Sequence, residues 1–413
     1  MQAHRRPAIA RSAFQEVLLG LEYGEEREHT ADIFSRACVE SFRESEGMCF
    51  GYRFTQVFEA TVLHEVAVLE QVPPEQVARL DHRPTATMRQ LGDALDHRAD
   101  LTLVQRVNLA SALLSIARPA LAETVLTEVR PLAASHRERF EIAWLTFVLS
   151  NRQDDTRGSS QAFAVMRDAI TAGEVPPGRA LDACAQGVVW YLKRREITHD
   201  DFVWSVHAGN ALARRAQTQG EDPSTVSSWY RGLAMLPAAK GMAEKTRSYM
   251  ESARAAAEET IRRRPRAYEL NLMKTYHESS LKEHMYVTGD MDAAVESGRE
   301  LIALDPQWSI SYGELAEAYV RFGQPREAAE LYDAAASMGA PYVGHHVLKA
   351  AVSWDKAGEP ASALARYENL ATLVPGNVEV LTRALECAHR LSHPSVRSFE
   401  AALEHLDAVR AAS

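Results

Sequence analysis

One spacing recurs along the second half of this sequence. Gly289, Gly323 and Gly358 are separated by steps of 34 and 35 residues, and an alanine follows each glycine five positions later, with a proline beyond it. The alanines and prolines are Ala294, Ala328, Ala363, Pro306, Pro341 and Pro375. Self-similarity at this period is typical of a solenoid of helix–turn–helix units, because a single hairpin cannot bury its apolar face alone. We therefore expect stacked helical hairpins over residues 275–377.

The clearest repeat, residues 309–342, shows what each position does. Apolar residues spaced at i, i+3, i+4 and i+7 predict one buried stripe on its first helix; these are Tyr312, Leu315, Ala316 and Tyr319. Gly323 is expected to end that helix, because glycine reaches the left-handed conformation without a Cβ penalty. Pro325 is placed to begin the second helix. The second helix would pack through Ala328, Leu331, Tyr332 and Ala335.

This pattern of large residue, leucine, small residue and tyrosine, followed by glycine, alanine, aromatic and alanine, resembles the tetratricopeptide repeat family. Residues 275–308 and 344–377 match the pattern less completely, and residues 234–267 match it weakly. The resemblance implies a right-handed superhelix whose concave surface holds a peptide or a segment of a partner protein.

The rest of the chain is helical by period. Residues 1–100 carry apolar helical stripes without the repeat, and we expect an N-terminal helical region there. Residues 101–233 show the hairpin spacing in degenerate form, residues 234–377 are the repeats, and residues 378–413 would cap the array with a final helical pair. No strand pattern rises above this background. The sequence therefore predicts an all-α chain.

Composition restricts the partners and the compartment. The net charge is −10 over 413 residues, which argues against nucleic acid as a partner. The four cysteines form no CxxC pair, which favours free thiols in a reducing compartment. No stretch approaches the roughly 20 apolar residues that span a bilayer, and the N-terminus lacks a secretory signal. We expect a cytoplasmic protein with no membrane contact.

Catalytic signatures are scarce. The sequence contains no phosphate loop, GxGxxG, HExxH or GxSxG motif, so we expect no cofactor. Glu-x-x-His occurs three times, but at spacings expected by chance among 15 histidines, and we expect no metal site. A binding protein is therefore favoured over an enzyme.

A polar cluster at residues 276–286 is the main exception. His277, Glu283 and His284 are the weak catalytic candidates, since histidine and a partly buried carboxylate suit acid–base chemistry. Two interpretations stay open. The histidines could bond to adjacent helices in an ordinary interior, or they could line a small-molecule pocket between the N-terminal helical region, with its aromatic loop 48–52, and the repeats.

The family resemblance also implies which side chains line the binding groove. Matched position by position, they are Tyr276, Glu283, Tyr286, Glu317, Arg321, His345, Asp355 and Lys356. This mixed set differs from the strongly basic clamp by which some family members hold a C-terminal carboxylate. A peptide or a partner protein is the expected ligand, and a small molecule is the alternative. The pattern does not identify the partner or the oligomeric state.

Overall fold

The computed structural model describes residues 95–115, 119–219, 223–264, 270–304, 309–337, 343–373 and 376–412. The predicted helices of residues 1–94, the loop 48–52 and the three repeat prolines lie outside the described residues. Within the described ranges all regular structure is helical, which confirms the all-α prediction for this part of the chain.

The described helices fall into two compact units. The described part of residues 95–288 contains nine complete α-helices: α1 Leu103–Ser115, α2 Pro119–Val129, α3 His136–Arg152, α4 Thr156–Thr171, α5 Pro177–Lys193, α6 Asp200–Gln219, α7 Pro223–Ala238, α8 Ala243–Arg263 and α9 Leu270–Glu283. A π-helical turn, His284–Thr288, continues α9 to the end of this unit.

Residues 289–412 are called the repeat unit below, and their described part contains seven more α-helices. They are α10 Met291–Leu304, α11 Ser309–Arg321, α12 Pro325–Ser337, α13 Val343–Lys356, α14 Pro360–Leu373, α15 Val378–Arg390 and α16 Val396–Ala412. Each helix from α11 to α15 packs against the helix before it and the helix after it. In the first unit, the two helices of each hairpin pack against each other; these hairpins are α1–α2, α3–α4, α5–α6 and α7–α8. Helix α5 also packs against α7. Packing between sequence neighbours is the arrangement expected of stacked hairpins.

The turns of the repeat unit form as the sequence predicts. Gly323 has a φ of +76°, and Gly289 and Gly358 have φ values of +68° and +78°. The Gly323 turn is closed by the amide of Gln324, which donates to the carbonyl of Tyr319 at 2.8 Å. Pro325 then begins α12, where its missing N–H costs no helical hydrogen bond. The predicted roles of Gly323 and Pro325 are confirmed.

One continuous apolar cluster runs through helices α11 to α16 of the repeat unit. Ala316, Ala328, Tyr332, Trp354 and Tyr367 all belong to it, and Tyr319 packs against it. Leu315 is buried as well. Small alanines at the helix contacts let the backbones approach closely, and the aromatic rings fill the space between turns. The predicted core of the clearest repeat is therefore confirmed.

A polar cluster ties three successive helices of this unit together. Asp333 of α12 accepts from the indole Nε1 of Trp354 on α13 at 2.8 Å. The same carboxylate accepts from Nε and Nη2 of Arg366 on α14, at 3.1 and 2.7 Å. The two oxygens of Asp333 thus bond to side chains of both following helices, and these bonds fix how α12, α13 and α14 are aligned along one another.

A short connector, residues 153–155, joins α3 to α4. Helix α3 continues to Arg152 and α4 begins at Thr156. The side chain of Asp155 accepts from the amide of Gly158 at 2.9 Å and caps α4, which satisfies one of the free amides at the helix start.

Candidate functional site

The polar cluster of α9 is divided between the interior and the surface. Tyr276 and Glu283 are buried, whereas His277 and His284 are half-buried. Tyr286, in the π-helical turn, is 53% exposed. The burial of Tyr276 and Glu283 differs from the surface position that the family resemblance implies for them, because α9 turns this face toward α8.

Arg247 of α8 organises the buried part of the cluster. Its Nε donates to Oε1 of Glu283 at 3.1 Å, and its Nη2 also contacts Oε2 of the same carboxylate. Nη1 lies 3.4 Å from the hydroxyl of Tyr276, and Nη2 lies 3.5 Å from Oγ of Ser280. One planar guanidinium thus contacts three side chains of the next helix, using the fork of donors that arginine carries.

The electrostatics of Glu283 follow from this burial. Its side chain is 2% exposed. Burial raises the pKa of Glu283 above its ordinary value, although the charge and the hydrogen bonds of Arg247 act in the opposite direction, and Glu251 adds a smaller upward shift. Desolvation of the charged form therefore outweighs the ion pair.

His284 lies at the edge of the same network. Its Nε2 is 3.1 Å from Nη2 of Arg247, and because a guanidinium can only donate, this nitrogen must accept. The other ring nitrogen, Nδ1, lies 3.2 Å from Oγ1 of Thr288 at the end of the π-helical turn. Hydrogen bonds thus lead from Glu283 through Arg247 and His284 to the last residue of this unit. The second candidate histidine, His277, packs edge-on against Tyr276, with ring centroids 5.2 Å apart.

Two arginines of this cluster were missed by the sequence analysis. Arg247 is in the weakest candidate repeat, 36 residues before Glu283. Arg231 of α7 donates to the carbonyl of Thr275 and to Oγ of Ser279, both at 3.4 Å. For Arg247, the sequence signal that could have linked it to Glu283 is their spacing near one repeat length, since this spacing places residues on helices that stack.

The other five groove candidates belong to the repeat unit. Glu317, Arg321 and Lys356 are exposed, whereas His345 and Asp355 are half-buried. Arg321 and Lys356 occupy the last turns of α11 and α13. Asp355 forms an ion pair with Arg390 of α15.

Gly313 leaves room on α11 for a side chain of α13. A Cβ added at Gly313 of α11 would lie 2.9 Å from Cε1 of His346 on α13. The ring of His346 therefore lies against α11 at Gly313, and the exposed positions Glu317 and Arg321 follow one and two turns farther along that helix. The structure gives Arg321 and Lys356, 35 residues apart in sequence, equivalent places in adjacent repeats.

Neither a metal cluster nor a membrane-spanning helix is present among the described residues. They contain no group of three or more His, Cys, Asp or Glu side chains placed to hold a metal ion. None of their helices has the length and the apolar content needed to cross a membrane.

Comparison with known proteins gives limited results. No protein-family model and no curated protein matches the sequence. Among solved structures, the human IFIT1 dimer with m7Gppp-AAAA is 13% identical, with a TM-score of 0.42 over 94% of this chain and 82% of that one. The MamA crystal structure is 15% identical, with a TM-score of 0.31 over 42% of this chain and 97% of that one. Naa15/Naa10 bound to HypK-THB is 14% identical, with a TM-score of 0.29 over 96% of this chain and 75% of that one.

These identities and scores are too low to assign the chain a family or a ligand. The exclusion of nucleic acid, which rests on net charge, stays a prediction, as do the predicted groove and the catalytic candidates.

Proposed function

We propose that the protein is a binding scaffold whose repeat unit holds a peptide or a segment of a partner protein along the first helices of its hairpins. The observation that carries the proposal is the equivalent, exposed placement of Arg321 and Lys356 on α11 and α13. Stacked helices that offer side chains at regular intervals suit an extended ligand, because several moderate contacts along its length add together.

The chemistry of the groove candidates agrees with a peptide. Glu317, Arg321 and Lys356 supply exposed charges of both signs, and His345 adds a half-buried imidazole ring. Charges at an exposed interface contribute chiefly to the association rate and to specificity. We therefore expect a partner segment with charged residues of both signs, bound with a marked dependence on salt.

The polar cluster of α9 supports the scaffold over an enzyme. A catalytic acid or base needs an open direction from which substrate can approach, whereas Glu283 is 2% exposed and both its oxygens contact Arg247. The hydroxyl of Tyr276 is also within reach of Arg247. These contacts connect α8 to α9, and they favour the interpretation of the cluster as an interior network.

Charge reversal in the groove tests the proposal. The full chain and the double variant Glu317→Arg/Arg321→Glu would be used as baits, and the bound proteins quantified by mass spectrometry. A partner held in the groove should be lost by the variant, and a peptide from that partner should bind the variant at least tenfold more weakly in titration calorimetry.

The matched control is Glu330→Arg, a charge reversal at an exposed position on the second helix of the same hairpin. It should retain the partner at the level of the unaltered chain. If every partner stayed bound to the double variant, the proposed groove would have to be abandoned.

The second candidate function is a small-molecule site beside His284, and the π-helical turn is the observation that favours it, since such turns are frequent at functional sites. A thermal-shift screen of metabolite mixtures would compare the unaltered chain with His284→Ala. A compound that stabilises only the unaltered chain would support this site, whereas equal shifts for both proteins would exclude His284 as a contact.

A further inference from the structure

A row of basic side chains crosses the repeat unit at the ends of its first helices. Arg321, Lys356 and Arg390 are the last residues of α11, α13 and α15. All three side chains are exposed. They follow one another at intervals of 35 and 34 residues, which is one repeat each time. These three hairpins of the array thus each contribute one cation to the same surface.

The turns that follow these cations share one backbone geometry. A residue in the left-handed conformation comes two positions after each cation; these residues are Gly323, Gly358 and Ser392, with φ values of +76°, +78° and +52°. In each turn the next amide donates to the carbonyl five residues before it, at 2.8, 3.0 and 2.9 Å respectively. Because the three helix ends are alike, the basic side chains start from equivalent backbone positions.

The helices that carry the row contact one another. The ring of His346 on α13 lies against α11 at Gly313, and Arg390 of α15 forms an ion pair with Asp355 of α13. Packed helices lie about 8–10 Å apart. The basic residues therefore recur at about that interval along the array.

A second row, of acidic side chains, runs beside the basic row. Glu317 and Glu386 are exposed one turn before the cations of α11 and α15, about 6 Å away along the helix axis. The equivalent residue of α13 is Val352, and Asp355 of the same helix pairs with Arg390 of the basic row. At this end of the three helices, cations and anions thus occupy separate rows, apart from Asp355.

We propose that the basic row is a docking surface for a peptide segment with an acidic residue at every third position. A ligand in the polyproline II conformation advances about 3.1 Å per residue with three residues per turn, so its side chains i, i+3 and i+6 share one face at intervals of about 9 Å. This interval matches the spacing of packed helices, and each carboxylate would face one cation. The inference rests on the proposed binding function and adds the charge and the spacing of the ligand.

The spacing of the carboxylates controls the affinity because each contact is weak. One exposed ion pair changes a binding constant by about fivefold at most, since water and salt screen the charges. A ligand that places three carboxylates opposite three cations combines these small gains. A ligand with a different spacing aligns with fewer cations and binds more weakly.

Two synthetic peptides of identical composition test the spacing. Both carry three glutamates among alanine, glutamine and proline residues, at every third position in one peptide and at every second position in the other. Binding of each fluorescently labelled peptide to the full chain would be measured by anisotropy at low ionic strength. The peptide with glutamate at every third position should bind more tightly by a factor of about three or more, and added salt should weaken it.

Substitution of Lys356, the central cation, tests the same surface from the side of the protein. Lys356→Gln should weaken binding of the peptide with glutamate at every third position about threefold. The matched control is Arg397→Gln, the same loss of charge at an exposed position on α16, the second helix of the last hairpin. It should leave the affinity unchanged. Thermal melts of both variants separate a loss of binding from a loss of folding.

Equal affinities of the two peptides, or no binding of either, would overturn the proposal. Unchanged peptide binding by Lys356→Gln would also overturn it, because the basic residues would then serve only to complement the helix dipoles. Failure of the proposed function has a different signature, which is a partner retained by Glu317→Arg/Arg321→Glu. A partner lost by that double variant, together with equal affinities of the two peptides, would keep the groove and remove the acidic spacing.

Discussion

Gly209 of α6 lies directly under the ring of Trp229 of α7. A Cβ at this position would lie 2.2 Å from the ring carbon Cη2 of Trp229, which is fully buried. We predict that Gly209→Ala destabilises the protein by roughly 1–3 kcal/mol, because neither the helix backbone nor a buried indole can yield without strain. The measurement is the shift in the denaturant midpoint.

Gly232 supplies the control for this prediction. It is also a helical glycine, on α7, but its added Cβ would meet Val189 at 3.5 Å, an ordinary contact. Gly232→Ala should be neutral or stabilising by up to about 1 kcal/mol, since alanine favours helix more than glycine does. Equal destabilisation by both substitutions would contradict the packing argument.

Glu283 should make the stability of the protein depend on pH. Because burial raises its pKa, the folded state binds its proton more tightly than the unfolded state does. Its contribution to stability is therefore fully present below the ordinary value of 4.5 and decreases as the pH rises through the higher folded pKa. We predict that Glu283→Gln removes this part of the pH dependence, as measured by the free energy of unfolding between pH 4 and 8.

Substitution of Arg247, the ion-pair partner of Glu283, tests the same contact from the other side. Arg247→Met should lower the protection of the α9 amides strongly at neutral pH, because a buried carboxylate then loses its cation. The effect should be smaller when Glu283→Gln is also present, since no charge is left unpaired. Additive effects of the two substitutions would mean that the contact between Arg247 and Glu283 contributes nothing to stability.

At the scale of the element, the hairpin α11–α12 tests the repeat register. Ala328 is fully buried in the core of the repeat unit, whereas Glu330 two residues later is exposed. We predict that Ala328→Leu forces the paired helices apart at a cost of roughly 1–3 kcal/mol or more, and that Glu330→Leu is nearly silent. Thermal melts would separate the two, and equal midpoints would contradict the register from which the groove residues follow.

The sequence anticipated the elements well where backbone chemistry is local. Gly323 ends α11 and Pro325 begins α12 because of their own backbone conformations. Their positions in the sequence were therefore enough to predict these two helix boundaries. It anticipated α9 less well. The helical period places Tyr276 and Glu283 on one face, but their burial depends on Arg247 from another helix.

At the scale of the whole molecule, a destabilising substitution in one compact unit should not destabilise the other unit. In stacked hairpins each element is stabilised by its neighbours, so a local loss spreads through adjacent contacts. We predict that Ala328→Leu increases hydrogen exchange in α11–α14 and leaves α3 and α4 unchanged. An equal increase in α3 and α4 would show that the chain unfolds as a single cooperative body.

The sequence alone determined that the described chain is an array of helical hairpins, because hydrophobic period, glycine turns and first-turn prolines are properties of short segments. It also determined the apolar core around Tyr332 and Tyr367, because the positions that are apolar in every repeat indicate which face of each helix is buried. Tertiary structure decided the polar contacts: which guanidinium meets Glu283, and that His346 fills the space left by Gly313. Such pairings join residues about one repeat apart, and their energies depend on burial and on distances that exist only after the helices have stacked.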